Sequence, residues 1–196
     1  MATAHEAISG AQARLKAAYF GLKDMDEQPT RYQSGLMNAV VFGRMVTLSL
    51  QNMRNDVESF DAWYEPHKTK MKDDPVMRFF IELRNKIEKQ VGQHTSTALR
   101  VSSFSAGDIP RPAPPYAVGF IVGHSEYGGA SGWKVRFPDG QEDFYPVSLP
   151  AELVKIVNVF REAPPEVRGV DAKALIAHYL RTLSTLVEDA RKQFLG

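Results

Sequence analysis

The chain has no cysteine in its 196 residues, which excludes disulfides, thiolate metal sites and cysteine nucleophiles together. It has no run of roughly 18 consecutive apolar residues, so no membrane span is expected. The N-terminal stretch MATAHEAISGAQARL carries an acidic residue and no unbroken apolar core, so no signal peptide is expected and the cytoplasm is the expected compartment. Charge of one sign is also missing. There are 24 Lys and Arg against 23 Asp and Glu, a formal net charge of +1, so no global field draws the protein to nucleic acid or to anionic lipid, and any such contact has to come from a local patch. No Walker loop, dinucleotide fingerprint, HExxH or nucleophile elbow occurs. The nearest thing to a phosphate loop, GHSEYGGASG over 123–132, sits between expected strands and opens no helix. His5, His67, His94, His124 and His178 match no metal-ligand spacing, so neither a metal site nor a cofactor is expected.

What is present is helical pattern. Residues 74–91, DPVMRFFIELRNKIEKQV, combine a capping oxygen on Asp74, Pro75 at the first helical position, and Met77, Phe80, Arg84, Ile87 and Val91 at three- and four-residue steps. Val76, Phe79 and Leu83 widen the apolar stripe. An alanine-rich first helix is expected over 3–23 and a loop over 24–33. A second helix, capped by Ser34, should run to about Asn52 with Met37, Val41, Met45 and Leu48 on one face. Between 53 and 73 a short helix holding Phe60, Trp63 and Tyr64 should be broken by Pro66 and the lysine-rich stretch after it. A long final helix should start at Asp171 and bury Leu175, Tyr179, Leu183, Leu186, Ala190 and Phe194.

The middle of the chain differs. Residues 92–116 lose helical periodicity and concentrate proline, which reads as a semi-rigid linker. Three runs rich in β-branched and aromatic residues follow over 116–148, with Asp139-Gly140 as a hairpin signal, and predict an antiparallel meander. A short helix is expected over 151–162. The fold class is therefore mainly α (α+β): one domain, with a helical bundle from 1–96 and 164–196 and a linker plus small three-stranded β-meander inserted over 97–163.

Arg84 is the odd member of the central stripe. Its guanidinium needs a partner, because an unpaired buried charge costs several kcal/mol. Beside Asn85 it offers a rigid donor fork for phosphate oxygens next to a group that both donates and accepts. The plain alternative is a pair with Glu88 one turn on. The run FFIELRNKIEKQ, preceded by Asp-Pro and followed much later by a long C-terminal helix, resembles the third-helix signature of HEPN-type proteins: an Arg, a polar residue that is often Asn, then a His. The resemblance implies a helical bundle that dimerises. In active members it implies a metal-independent ribonuclease at the dimer interface, with Arg stabilising phosphate and His acting as general acid or base. Arg84 and Asn85 match the first two positions. In place of the histidine stand Glu88, Lys89 and Gln90, and the first downstream histidine is His94, ten residues past Arg84.

Three function classes follow. The first is a non-catalytic HEPN-like module, a homodimer binding RNA, another anion or a protein, with Arg84, Asn85 and Lys89 as the ligand site. The second is an active endoribonuclease in which Arg84 and Asn85 recruit His178, or His94, in space as the catalytic set. The third is a structural or protein-binding role through Trp133, Phe144 and Tyr145 of the β insertion. Whether the chain is an enzyme is left open at this level.

Overall fold

The computed structural model describes residues 3–89, 92–101 and 106–196. The chain divides into two compact units, one comprising Met1–Ser96 and Asn158–Gly196, the other Thr97–Val157. The architecture is mainly α with a small antiparallel sheet.

In the first unit α1 (Ala4–Glu27) opens with a capping box: Thr3 Oγ1 accepts from Glu6 N–H at 3.2 Å, and the Glu6 carboxylate accepts from the Thr3 amide at 2.8 Å. The helix runs four residues beyond the expected Lys23. After a 3-10 turn at Pro29–Arg31, α2 (Tyr32–Gln51) begins two residues before Ser34. Ser34 is therefore not the cap; its hydroxyl donates back to the Arg31 carbonyl at 3.0 Å. The face that α2 buries also differs from expectation. Leu36, Ala39, Val40, Gly43, Val46 and Leu50 are inside, whereas Met37 and Leu48 are 41% and 42% exposed. Small residues decided this. A Cβ on Gly21 of α1 would lie 2.5 Å from the Gly35 carbonyl oxygen, and one on Gly35 would lie 2.5 Å from that of Gly21, so the two backbones touch at a glycine pair that larger residues would hold apart.

Pro66 does not break its helix: α3 (Phe60–Asp73) continues through it and through the lysine-rich stretch. Proline removes one hydrogen bond to the carbonyl four residues back. Here that carbonyl belongs to Ala62, which is exposed like Pro66 itself, so water can take the bond. The buried rings of Phe60 and Tyr64, stacked 5.1 Å apart, anchor the first turn. α4 (Pro75–Lys89) then buries Val76, Met77, Phe79, Phe80, Leu83 and Ile87, as the stripe predicted; Gln90 and Val91 lie outside the described residues. α5 (Ala172–Leu195), capped by Asp171 Oδ1 on the Lys173 amide at 3.1 Å, buries Leu175, Tyr179, Leu183, Leu186 and Ala190. α5 packs on α1, α2 and α4, and Tyr179 stacks on Phe80 at 4.6 Å.

Two stretches expected otherwise are strands. The supposed linker contains β1 (Thr95–Val101), and the supposed short helix over 151–162 is a 3-10 turn followed by β5 (Val154–Phe160); the two pair as a two-stranded sheet. Val154, Ile156, Val157 and Val159 explain the second case, because β-branched side chains are crowded on a helix and fit a pleated surface.

In the second unit β2 (Ala117–His124), β3 (Ala130–Arg136) and β4 (Glu142–Pro146) form the predicted antiparallel meander in the order β2-β3-β4. Gly140 has φ +85°, and the Phe137 amide donates across the turn to Gln141 at 2.8 Å, closing the Asp-Gly hairpin. Gly128 and Gly129, in the β2–β3 connection, have φ +64° and +85°, and Gly123, with φ +68°, sits at a register irregularity near the end of β2.

The glycine pair gives a direct test. Gly35→Ala is expected to destabilise by about 1–3 kcal/mol through overpacking. Gly10→Ala, where a Cβ meets only the mobile end of Arg14, should stabilise by about 0.5–1 kcal/mol through helix propensity. Thermal melting of the two variants should shift in opposite directions; equal shifts would contradict the close approach of α1 and α2.

Candidate anion-binding cleft

Four helices of the first unit surround a cleft of about 270 Å³, and each contributes at helical spacing. From α2 and the turn after it come Arg44, Thr47, Gln51 and Arg54; from α3, Tyr64, Lys68, Met71 and Lys72; from α4, Met77 and Ile81; from α5, Tyr179 and Leu183. The walls are apolar, and the charged residues are all cationic. Among the described residues no carboxylate lines it.

The four cations are not equivalent. Arg54 is paired with Asp61 and Lys68 with Glu65, each at 2.8 Å. Half-buried Arg44 and exposed Lys72 form no ion pair with a described residue. Arg44 is instead held by Thr47, whose hydroxyl accepts from Nη1 at 2.6 Å and donates to the Arg44 carbonyl at 3.1 Å. The guanidinium is thus positioned without being neutralised, which is the condition for taking an anion from outside.

Both tyrosines titrate above the ordinary phenol range. Burial pushes Tyr179 far above the ordinary phenol range, against the opposing charge of Arg44. Burial likewise raises Tyr64, against the pull of Arg44, Arg54 and Lys68. The Tyr64 oxygen accepts from Gln51 Nε2 at 3.3 Å, and the same amide nitrogen donates to the Thr47 carbonyl at 3.1 Å. Tyr179 reaches the cleft because Gly43 has no side chain: a Cβ there would lie 2.4 Å from the ring and 3.0 Å from its hydroxyl.

The residues singled out from the sequence lie elsewhere. Arg84 pairs with Glu88 at 2.6 Å and donates to Asn85 Oδ1 at 3.3 Å, the plain alternative for a lone Arg on this stripe. By helical spacing it follows Met77 and Ile81, about 4.5 Å along the axis past the cleft rim. Asn85 and Lys89 are exposed. His178 hydrogen-bonds Asp74 at 2.9 Å, at the other end of α4 and about 15 Å along that helix from Arg84. The His94 carbonyl accepts from the Arg161 amide at 3.0 Å. Among the described residues no hydrogen bond or ion pair joins Arg84 to a histidine, and His94 lines a small pocket with Glu82, Leu83 and Lys86 of α4. In the second unit Trp133 donates to the Arg111 carbonyl at 3.0 Å, Phe144 is buried under Tyr127 at 4.4 Å, and Tyr145 is exposed. A depression of about 670 Å³ in that unit is lined by Pro110, Val122, Pro146 and Leu149 and carries one charge among the described residues, Arg111. No group of three or more acidic or histidine side chains able to hold a metal occurs among the described residues, and no described helix is long and apolar enough to cross a membrane.

Asp74 sets the geometry of three cleft walls. Its amide closes α3 on the Lys70 carbonyl at 3.1 Å, its Oδ1 caps α4 on the Val76 and Met77 amides at 2.7 and 3.3 Å, and its Oδ2 meets His178 of α5. Burial pushes its carboxyl up, but the His178 hydrogen bond and the two capped amides outweigh this and hold it below the ordinary 3.8. A carboxylate depressed on folding stabilises fully above its unfolded value and loses that contribution as pH falls through the folded one. Asp74→Ala is therefore expected to cost about 1–2 kcal/mol at neutral pH. The gap in melting temperature from the unaltered chain should narrow below pH 3.8; a gap constant with pH would contradict the assignment.

No curated protein and no solved structure matches the chain, so the HEPN resemblance rests on Arg84, Asn85 and their helix alone. The family model that matches is that of bacteriophage lambda protein ea47, over residues 11–111. That span holds the α2, α3 and α4 walls of the cleft and covers just over half of the sequence. The chain belongs to the bacteriophage lambda ea47 family.

Proposed function

We propose that this chain is a non-catalytic, cytoplasmic anion-binding module that takes the phosphate groups of RNA in the cleft between α2, α3, α4 and α5. The observation that carries this reading is the collection of Arg44, Arg54, Lys68 and Lys72 around one concavity that no described carboxylate lines. With a net charge of only +1, a local patch is the one route by which such a chain attracts a polyanion. Arg44 and Lys72 are the binding pair, because the other two cations already have carboxylate partners. Arg84 and Asn85 become flanking residues for a longer strand. The reading is non-catalytic because cleavage of RNA needs an acid or base near neutrality, and the described cleft residues include two tyrosines raised by burial and no histidine.

Fluorescence anisotropy with a short labelled single-stranded RNA tests this. The double variant Arg44→Ala with Lys72→Ala should weaken binding by about tenfold or more, with the salt slope of log K falling by about 0.7 per contact removed. Arg84→Ala should weaken it less than Arg44→Ala does, and no cleavage product should form. Unchanged affinity in the double variant, or RNA turnover by the purified chain, would overturn the reading.

A further inference from the structure

The cleft is shaped for more than a phosphate, and the following rests on the anion-binding reading above. We propose that it holds one nucleoside monophosphate unit, free or as the end of an RNA strand, with the phosphate at Arg44 and Lys72 and the base against Met71, Met77 and Leu183. Three observations carry this. The volume of about 270 Å³ lies just below the roughly 300–1,000 Å³ usual for small-molecule sites, which suits a single small unit and excludes a duplex. The interior wall is apolar, and bare phosphate would leave that wall wet; two methionine thioethers instead suit an aromatic ring. Finally, the apolar wall is interrupted by polar atoms with capacity to spare. Tyr179 is only 2% exposed, and its hydroxyl has no hydrogen-bond partner among the described residues. The Gln51 amide nitrogen is used twice, by Thr47 and Tyr64, which leaves its carbonyl oxygen as an acceptor at the cleft. An alkyl tail would bury this donor and this acceptor unpaired, at a cost in affinity, whereas the edge of a base pairs with both.

Isothermal titration calorimetry of the whole chain tests the proposal with a purine and a pyrimidine 5′-monophosphate, the matching nucleosides, ribose 5-phosphate, inorganic phosphate and decanoate. A monophosphate should bind about tenfold or more tighter than ribose 5-phosphate, inorganic phosphate and its own nucleoside. Tyr179→Phe, which keeps the ring and its packing, should weaken the monophosphate several-fold more than it weakens inorganic phosphate. Competition by a linear 5′-phosphorylated oligonucleotide but not by its circular form would support the strand end as the source; competition by neither would support the free nucleotide. If phosphate and ribose 5-phosphate bind as tightly as the nucleotide and depend on Arg44, the nucleotide inference falls while the anion reading stands. Tightest binding by decanoate also sinks the inference. If no anion binds, both fall.

Discussion

The cleft depends on one side chain that is not in it. Asp74 is the only residue between α3 and α4, and its backbone amide, its two carboxylate oxygens and the following proline fix the end of one helix, the start of the next and a tether to α5. A one-residue connection leaves little freedom in the angle between α3 and α4. The lysines of α3 and the apolar residues of α4 therefore face each other across a gap with a set width. Without the cap, the first amides of α4 would be unpaired in a partly buried position, and the wall carrying Met77 would fray where the cleft needs it rigid.

On this frame the chemistry is a division between satisfied and unsatisfied groups. The core is closed: Phe79, Phe80, Phe160 and Tyr179 interlock at ring distances of 4.6 to 5.7 Å. Beside it, Gly43 removes a side chain so that Tyr179 can press against α2, and Tyr179 lines the same cleft as Arg44. A glycine inside a helix costs about 1 kcal/mol relative to alanine, and here it leaves the space that the Tyr179 ring occupies. Arg44 is oriented by Thr47 and left without a counterion among the described residues. Arg84, by contrast, is neutralised by Glu88 within its own helix. Both arginines lie on amphipathic helices at partly buried positions, and their partners differ: one guanidinium has no counterion among the described residues, the other is neutralised within its own helix.

Much of the helical frame was legible in the sequence because its signals are local. The Asp74-Pro75 start, the α4 stripe, the Asp171 cap of α5 and the Asp139-Gly140 hairpin all depend on neighbours within a few residues. The cleft was not legible, for two physical reasons. Its cations come from α2 and α3, and no spacing along the chain announces that these helices face each other. The one local clue, Tyr64, Lys68 and Lys72 at four-residue steps, was hidden by taking Pro66 as a breaker, although a proline on an exposed face leaves its freed carbonyl to water. The α2 face went the same way: large Met37 and Leu48 looked like core, but the glycine pair at 21 and 35 decided which side approaches α1. β1 escaped notice because its partner β5 is more than 50 residues away. Arg84 stands out in sequence as a charge on an apolar stripe, while its partner, Glu88 one turn later, makes an ordinary helix pair.

The measurement that bears most directly on the central claim is an NMR titration of the whole chain with inorganic phosphate, following the side-chain NεH signals of Arg44 and Arg84 together. The account predicts that the Arg44 signal and the backbone amides around Gly43 and Tyr179 shift saturably while Arg84, held by Glu88, stays in place. Saturable shifts at Arg84 with none at Arg44 would contradict it and return the site to the helix end where the sequence first placed it.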